Sequence, residues 1–181
     1  MTASDDLLRR IEQEAALGEA LVWPGDFEVD RREPVEPLAL PTGIPLRPVA
    51  GCAAGGTYFL CGEAGSAARP VLYADSEGQA TLIGRDLVEA ITLVVVLPYW
   101  RDLAKGYSVG DLGAAVRADQ PDFDAERDRL LDALGLAPAS EEEVAARLLA
   151  VAASTAPHYV PEVPDDDDYE PYELLFERDT A

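Results

Sequence analysis

The spacing of apolar residues changes from a period of two to a period near 3.6 between residues 57 and 97. Thr57-Tyr58-Phe59-Leu60-Cys61 is an unbroken β-forming run. Tyr58 and Leu60 fall on one face, and Thr57, Phe59 and Cys61 on the other. Both faces are largely apolar, which predicts a strand covered on both sides. Pro70 opens a second strand over 71–74, at a position where a ladder tolerates proline. Asp75-Ser76-Glu77-Gly78 reads as a hairpin turn, with glycine at the left-handed position, and a third strand follows over 79–83. Connections this short predict antiparallel neighbours, hence a meander.

Asp86 with Glu89 then resembles a capping box. Leu87, Val88, Ala90, Ile91, Val94 and Val95 line most of the circumference of a helix over 86–97, which Pro98 ends. A helix this apolar must be buried, and the sheet is the surface available to it. Upstream, Leu7, Leu8, Ile11 and Ala15 predict a helix over 4–17, capped by Ser4 and stopped by Gly18. Leu21–Trp23 suit a short strand, Phe27 and Val29 an edge strand, and the prolines at 34, 37, 41, 45 and 48 an extended loop. Downstream, Tyr99 and Trp100 precede a charged segment to Lys105 and a loop through Gly113. Residues 122–135 and 140–154 predict a pair of antiparallel helices, the second opened by a Ser140/Glu143 capping box.

The fold class expected is therefore α+β: an antiparallel β-meander packed against a central helix, with a C-terminal helical pair. Residues 1–115 make the core, 116–156 a helical hairpin packed on it, and 157–181 an acidic tail containing Asp165 to Asp168. Tyr172, Leu174, Leu175 and Phe176 give that tail the means to dock back as a strand.

Charge changes the picture more than composition does. Thirty-five acidic residues face fourteen basic ones, a net charge of -21. Such a field repels nucleic-acid phosphates and anionic lipid and draws cationic partners. No run is long enough to span a bilayer, and MTASDDLLRR lacks a signal pattern, so a cytoplasmic location is expected. Two cysteines make no disulfide framework, and Cys61 is expected as a small buried residue. The single histidine, His158, cannot build a histidine-rich metal site and is the sole conventional base for a nucleophilic triad. No Gly-x-Ser-x-Gly elbow and no phosphate-cradling loop is present. No catalytic, cofactor or metal residues are assigned, and a non-enzymatic protein is expected. A hydrolase working through carboxylates, with or without a metal, stays open because no acidic pair stands out.

The pieces AGGTYFLCG and RPVLYADSEGQATLIGRDLVEAI, within residues 54–103, resemble the SUKH superfamily of SMI1/KNR4-like proteins. There a Gly-rich approach leads to a strand, a PVxYxD-xxG hairpin and a helix packed on the sheet. Many bacterial members are immunity proteins that neutralise a toxin, often a nuclease, by binding it. The resemblance implies a protein that occludes a basic partner, a toxin of that kind, or else a regulatory or scaffold protein of the same fold. Expected partner contacts are Glu63, Asp75 and Glu77 on the meander loops, with Tyr99 and Trp100 as anchors.

Overall fold

A computed structural model describes residues 2–165, 168 and 170–177. The fold is α+β. Its described strands form one mixed sheet in the order β1-β2-β3-β4-β5. These are β1 (Leu46–Gly51), β2 (Thr57–Cys61), β3 (Val71–Ala74), β4 (Gln79–Gly84) and β5 (Glu173–Leu174). The first four are antiparallel in sequence order, and β5 joins the far edge in parallel, Ala80 facing Leu174. The meander is thus as expected at β2 to β4, and the tail docks as a strand. Much of the aspartate run lies outside the described residues.

The described residues hold six α-helices: α1 (Ala3–Gln13), α2 (Ala15–Ala20), α3 (Leu87–Val96), α4 (Val109–Asp119), α5 (Phe123–Leu134) and α6 (Glu141–Ala152). Helix α3 is the central one. Leu87, Ala90, Ile91, Leu93, Val94, Val95 and Val96 are all buried, against Tyr58, Leu60, Val71, Tyr73 and Ile83 of the sheet face. At about 25 cal/mol per Å² of apolar surface removed from water, burying this layer stabilises the fold. Phe59, Cys61, Leu72, Ala74, Ala80 and Leu82 point the other way, into a second cluster with Leu40, Val151 and Tyr172. The strands are therefore covered on both faces, which is why they read as continuous apolar runs.

Several local expectations change. Thr2, not Ser4, caps α1, in a reciprocal box with Asp5. Ser4 is buried, and its hydroxyl accepts the Leu87 amide instead, tying α1 to the start of α3. The helix breaks at Glu14 and resumes, so Gly18 sits inside α2 rather than ending a helix. Leu21–Trp23 form a turn, and the strand expected at Phe27 and Val29 shrinks to one bridge, Glu28 to Gly51, before a short 3-10 helix over Val29–Arg31. Strand β1 was hidden by its own proline: Pro48 lies in the outermost strand, beside an irregularity in register, where a missing N–H does no harm. The loop expected through Gly113 is instead a 3-10 helix over Trp100–Lys105 followed by α4, which Ser108 caps by accepting from the Asp111 amide. Asp86 does cap α3, but Glu89 accepts from the Arg85 amide and guanidinium rather than closing a box on Asp86.

Helices α5 and α6 occur as expected, with Gly135 in the left-handed conformation after α5 and the Ser140/Glu143 box in place. Leu130, Leu131 and Leu134 of α5 and Val144 and Leu148 of α6 enter the same core cluster as α3. Arg117 of α4 clamps the three helices together, pairing with Asp124 at 2.8 Å and Glu141 at 2.7 Å. Arg10 of α1 donates to the carbonyls of Ala133 and Leu134, at the negative end of α5.

Candidate functional site

The hairpin turn after β3 is the starting point. The Asp75 carboxylate accepts from the amides of Glu77 (2.9 Å) and Gln79 (2.8 Å), an Asx-type closure that needs a short acceptor at this position. Ser76 donates to the Ala54 carbonyl across the turn. Asp75 is thus a turn former first, and its charge stays at the rim. Glu77 is exposed. Beside the turn, the terminal segment is laid down by two backbone bonds: the Glu173 amide to the Gly78 carbonyl at 2.8 Å and the Leu175 amide to the Ala80 carbonyl at 3.0 Å. Tyr172 precedes them, buried in the second cluster, with its hydroxyl donating to Glu36 at 2.6 Å.

Between turn, terminal segment, the 3-10 helix at Trp100–Lys105 and the end of α6 lies an open groove of about 1570 Å³. Apolar surface comes from Leu103, Leu149, Ala153 and Leu174–Phe176, and acidic groups from Asp75, Glu77, Glu173 and Glu177. Leu149 is 51% exposed, on the face of α6 away from buried Val144, Leu148 and Val151. Among the described residues, Glu173 and Glu177 make no ion pair. The two groove cations are engaged locally. Lys105 pairs with Asp102 at 2.9 Å, which with the field of Glu77 holds its pKa up.

Arg101 anchors the inner end of the groove. Its guanidinium donates to the Tyr58 hydroxyl at 2.7 Å, pairs with Asp26 at 3.2 Å, and lies 4.9 Å from the centres of both the Tyr73 and Trp100 rings. Asp26 also accepts from the Ala53 amide, and the Tyr73 hydroxyl is 3.6 Å from Cys52 Sγ. Burial pushes the Tyr58 and Tyr73 hydroxyls well above the ordinary phenol range, so both stay neutral, and Tyr58 donates to the Asp26 carbonyl. This cluster fixes the 3-10 helix to the sheet and the loop at Asp26.

The expected contact residues do not converge. Asp75 and Glu77 stand together on the groove rim. Glu63, also exposed, follows β2, whereas Asp75 follows the antiparallel β3, so it lies at the other end of the sheet, at least ~13 Å away for strands of this length. Tyr99 and Trp100 are corrected as surface anchors: they are 7% and 1% exposed, Trp100 beneath Arg101 and Tyr99 with its hydroxyl donating to the Val109 carbonyl. Leu149 and Leu174–Phe176 are the apolar groove residues that sequence reasoning did not assign to a site; their signal was a leucine off the α6 stripe and an apolar run inside an acidic tail. Among the described residues, no group of three or more His, Cys, Asp or Glu side chains is placed to hold a metal ion, and no helix is long and apolar enough to cross a membrane.

No family model, curated protein or solved structure matches the chain in the comparisons made with each.

Proposed function

We propose that this chain is a non-enzymatic binding protein that captures a basic protein partner, in the manner of bacterial immunity proteins that neutralise a nuclease-like toxin by occlusion. The observation that carries the reading is the groove itself: four carboxylates and apolar surface in its lining, and both cations engaged by neighbours. A net charge of -21 adds a long-range field of the same sign, which raises the encounter rate with a cationic surface. The SUKH resemblance of residues 54–103 points the same way.

Affinity purification with the full chain as bait tests the reading, comparing ionic strengths of about 0.1 M and about 1 M, between which the screening length falls from about 10 Å to about 3 Å. A basic polypeptide retained at the lower value and reduced at the higher one is the expected result, and a toxin encoded beside the gene would be the first to try directly. No retained polypeptide at either value overturns the proposal. Turnover of a substrate, abolished by single Asp or Glu substitutions, would replace it with carboxylate chemistry.

A further inference from the structure

We infer that the occupant of the groove is a cationic, amphipathic stretch of a partner polypeptide, lying along the Asp75–Glu77 turn and the terminal segment bonded beside it, with that segment acting as a fixed wall. The inference rests on the reading that the partner is basic and adds where and by what chemistry it docks.

Size argues first. Small-molecule pockets run to about 300–1,000 Å³ and enclose most of the ligand. This groove, at about 1570 Å³ and open along its length, suits a segment of chain. Apolar surface argues next. Leu149 is half exposed, and with Leu174, Leu175 and Phe176 it offers a strip for an apolar face. Charge selects the flanks. Asp75 and Glu77 on the turn and Glu173 and Glu177 on the segment bonded beside it rim the groove, so an occupant with Lys or Arg flanking its apolar face meets both pairs of carboxylates. An anionic stretch would meet repulsion from both.

The wall is part of the fold and need not leave. It is held by the amides of Glu173 and Leu175 on β4 and by buried Tyr172, while Leu175 and Phe176 pack against the main core. The outer edge of β4 is closed further along by Thr155, whose hydroxyl accepts the Leu82 amide at 2.9 Å. Addition of a partner strand to this edge would have to break both arrangements, whereas a segment seated in the groove breaks neither.

Fluorescence anisotropy of the full chain with a labelled Leu/Lys amphipathic peptide of about four helical turns tests this, with the Leu/Glu counterpart as control. Two triple variants carry the same change of charge: Glu77→Gln, Glu173→Gln and Glu177→Gln in the groove, and Glu33→Gln, Asp119→Asn and Asp132→Asn at exposed positions outside it. The groove triple should weaken binding of the Leu/Lys peptide about tenfold and the distant triple less than about twofold at equal ionic strength. Leu149→Gln should weaken it several-fold without altering the salt dependence. Equal losses in the two triples overturn the groove assignment and leave capture of a basic partner standing. No binding of the Leu/Lys peptide to the parent protein at low salt overturns both, and comparable binding of the Leu/Glu peptide removes the charge argument.

Discussion

Replacing Arg101 with methionine isolates the cluster that fixes the groove's inner end. Methionine keeps most of the aliphatic bulk and removes the charge and the donors. The guanidinium loses a bond to the Tyr58 hydroxyl at 2.7 Å and an ion pair with Asp26 at 3.2 Å. Hydrogen bonds to charged groups contribute about 1.5–3 kcal/mol each when partly buried, and a stacked cation on an aromatic ring contributes about 0.5–2 kcal/mol. The side chains of Arg101 and Asp26 are 24% and 28% exposed, so solvent screening trims the upper values. The expected loss is about 3 kcal/mol. In a chain of this size that is a drop in melting temperature of about 6–12 °C, and with a typical urea dependence a midpoint lower by about 1.5 M. Urea unfolding followed by tryptophan fluorescence reads it directly, because Trp100 lies against the guanidinium. Arg101→Lys should recover less than half of the loss, since an ammonium cannot hold Asp26 and Tyr58 in the planar fork. A loss below about 0.5 kcal/mol, or a lysine variant as stable as the parent, would refute the view that this cluster holds the 3-10 helix to the sheet.

Other consequences follow from named contacts. Gly51→Ala should destabilise by about 1–3 kcal/mol, because an added Cβ would sit 2.1 Å from the Arg31 carbonyl oxygen while Gly51 is bridged to Glu28; urea midpoints check this. Thr155→Val leaves the buried Leu82 amide without its acceptor, so stability should fall by about 1–3 kcal/mol and exchange of that amide should accelerate in hydrogen-exchange measurements. Burial pushes the Cys61 thiol from an ordinary 9.0 up to about 12, so its neutral form is favoured in the folded state. That contribution is complete below about pH 9 and is lost as pH rises through about 12, since the unfolded chain gives up its proton first. Cys61→Val should accordingly show a shallower alkaline decline in stability than the parent.

How much of this was legible in the residues depends on how local the cause was. Strands β2, β3 and β4 and helix α3 were readable because pattern, turn chemistry and cap agree: Asp75 and Gly78 close the turn that their spacing implies, and Asp86 caps the helix it precedes. Strand β1 was not, because Pro48 argues against a strand unless one knows that it falls at the sheet edge, which is a fact of topology. Helix α4 was missed since Gly110 and Gly113 weaken its propensity; Gly113 is buried, and a Cβ there would press on Arg117 and Glu141, so the glycine belongs to helix packing rather than to a loop. The site was half legible. Asp75 and Glu77 lie beside each other in sequence and in space, but Glu63 belongs to the opposite turn of an antiparallel ladder, and only the ladder reveals that. The other two groove carboxylates come from residues about a hundred positions away, within Glu173 to Glu177, brought in by pairing with β4.

Amide chemical-shift mapping of the full chain during titration with the Leu/Lys peptide tests the central claim most directly. The account predicts that the largest shifts fall on Glu77, Lys105, Leu149 and Leu174–Phe176, all in the lining of one groove. Shifts centred on the Glu63 loop, or on exposed Trp23, with the groove amides unmoved, would contradict it.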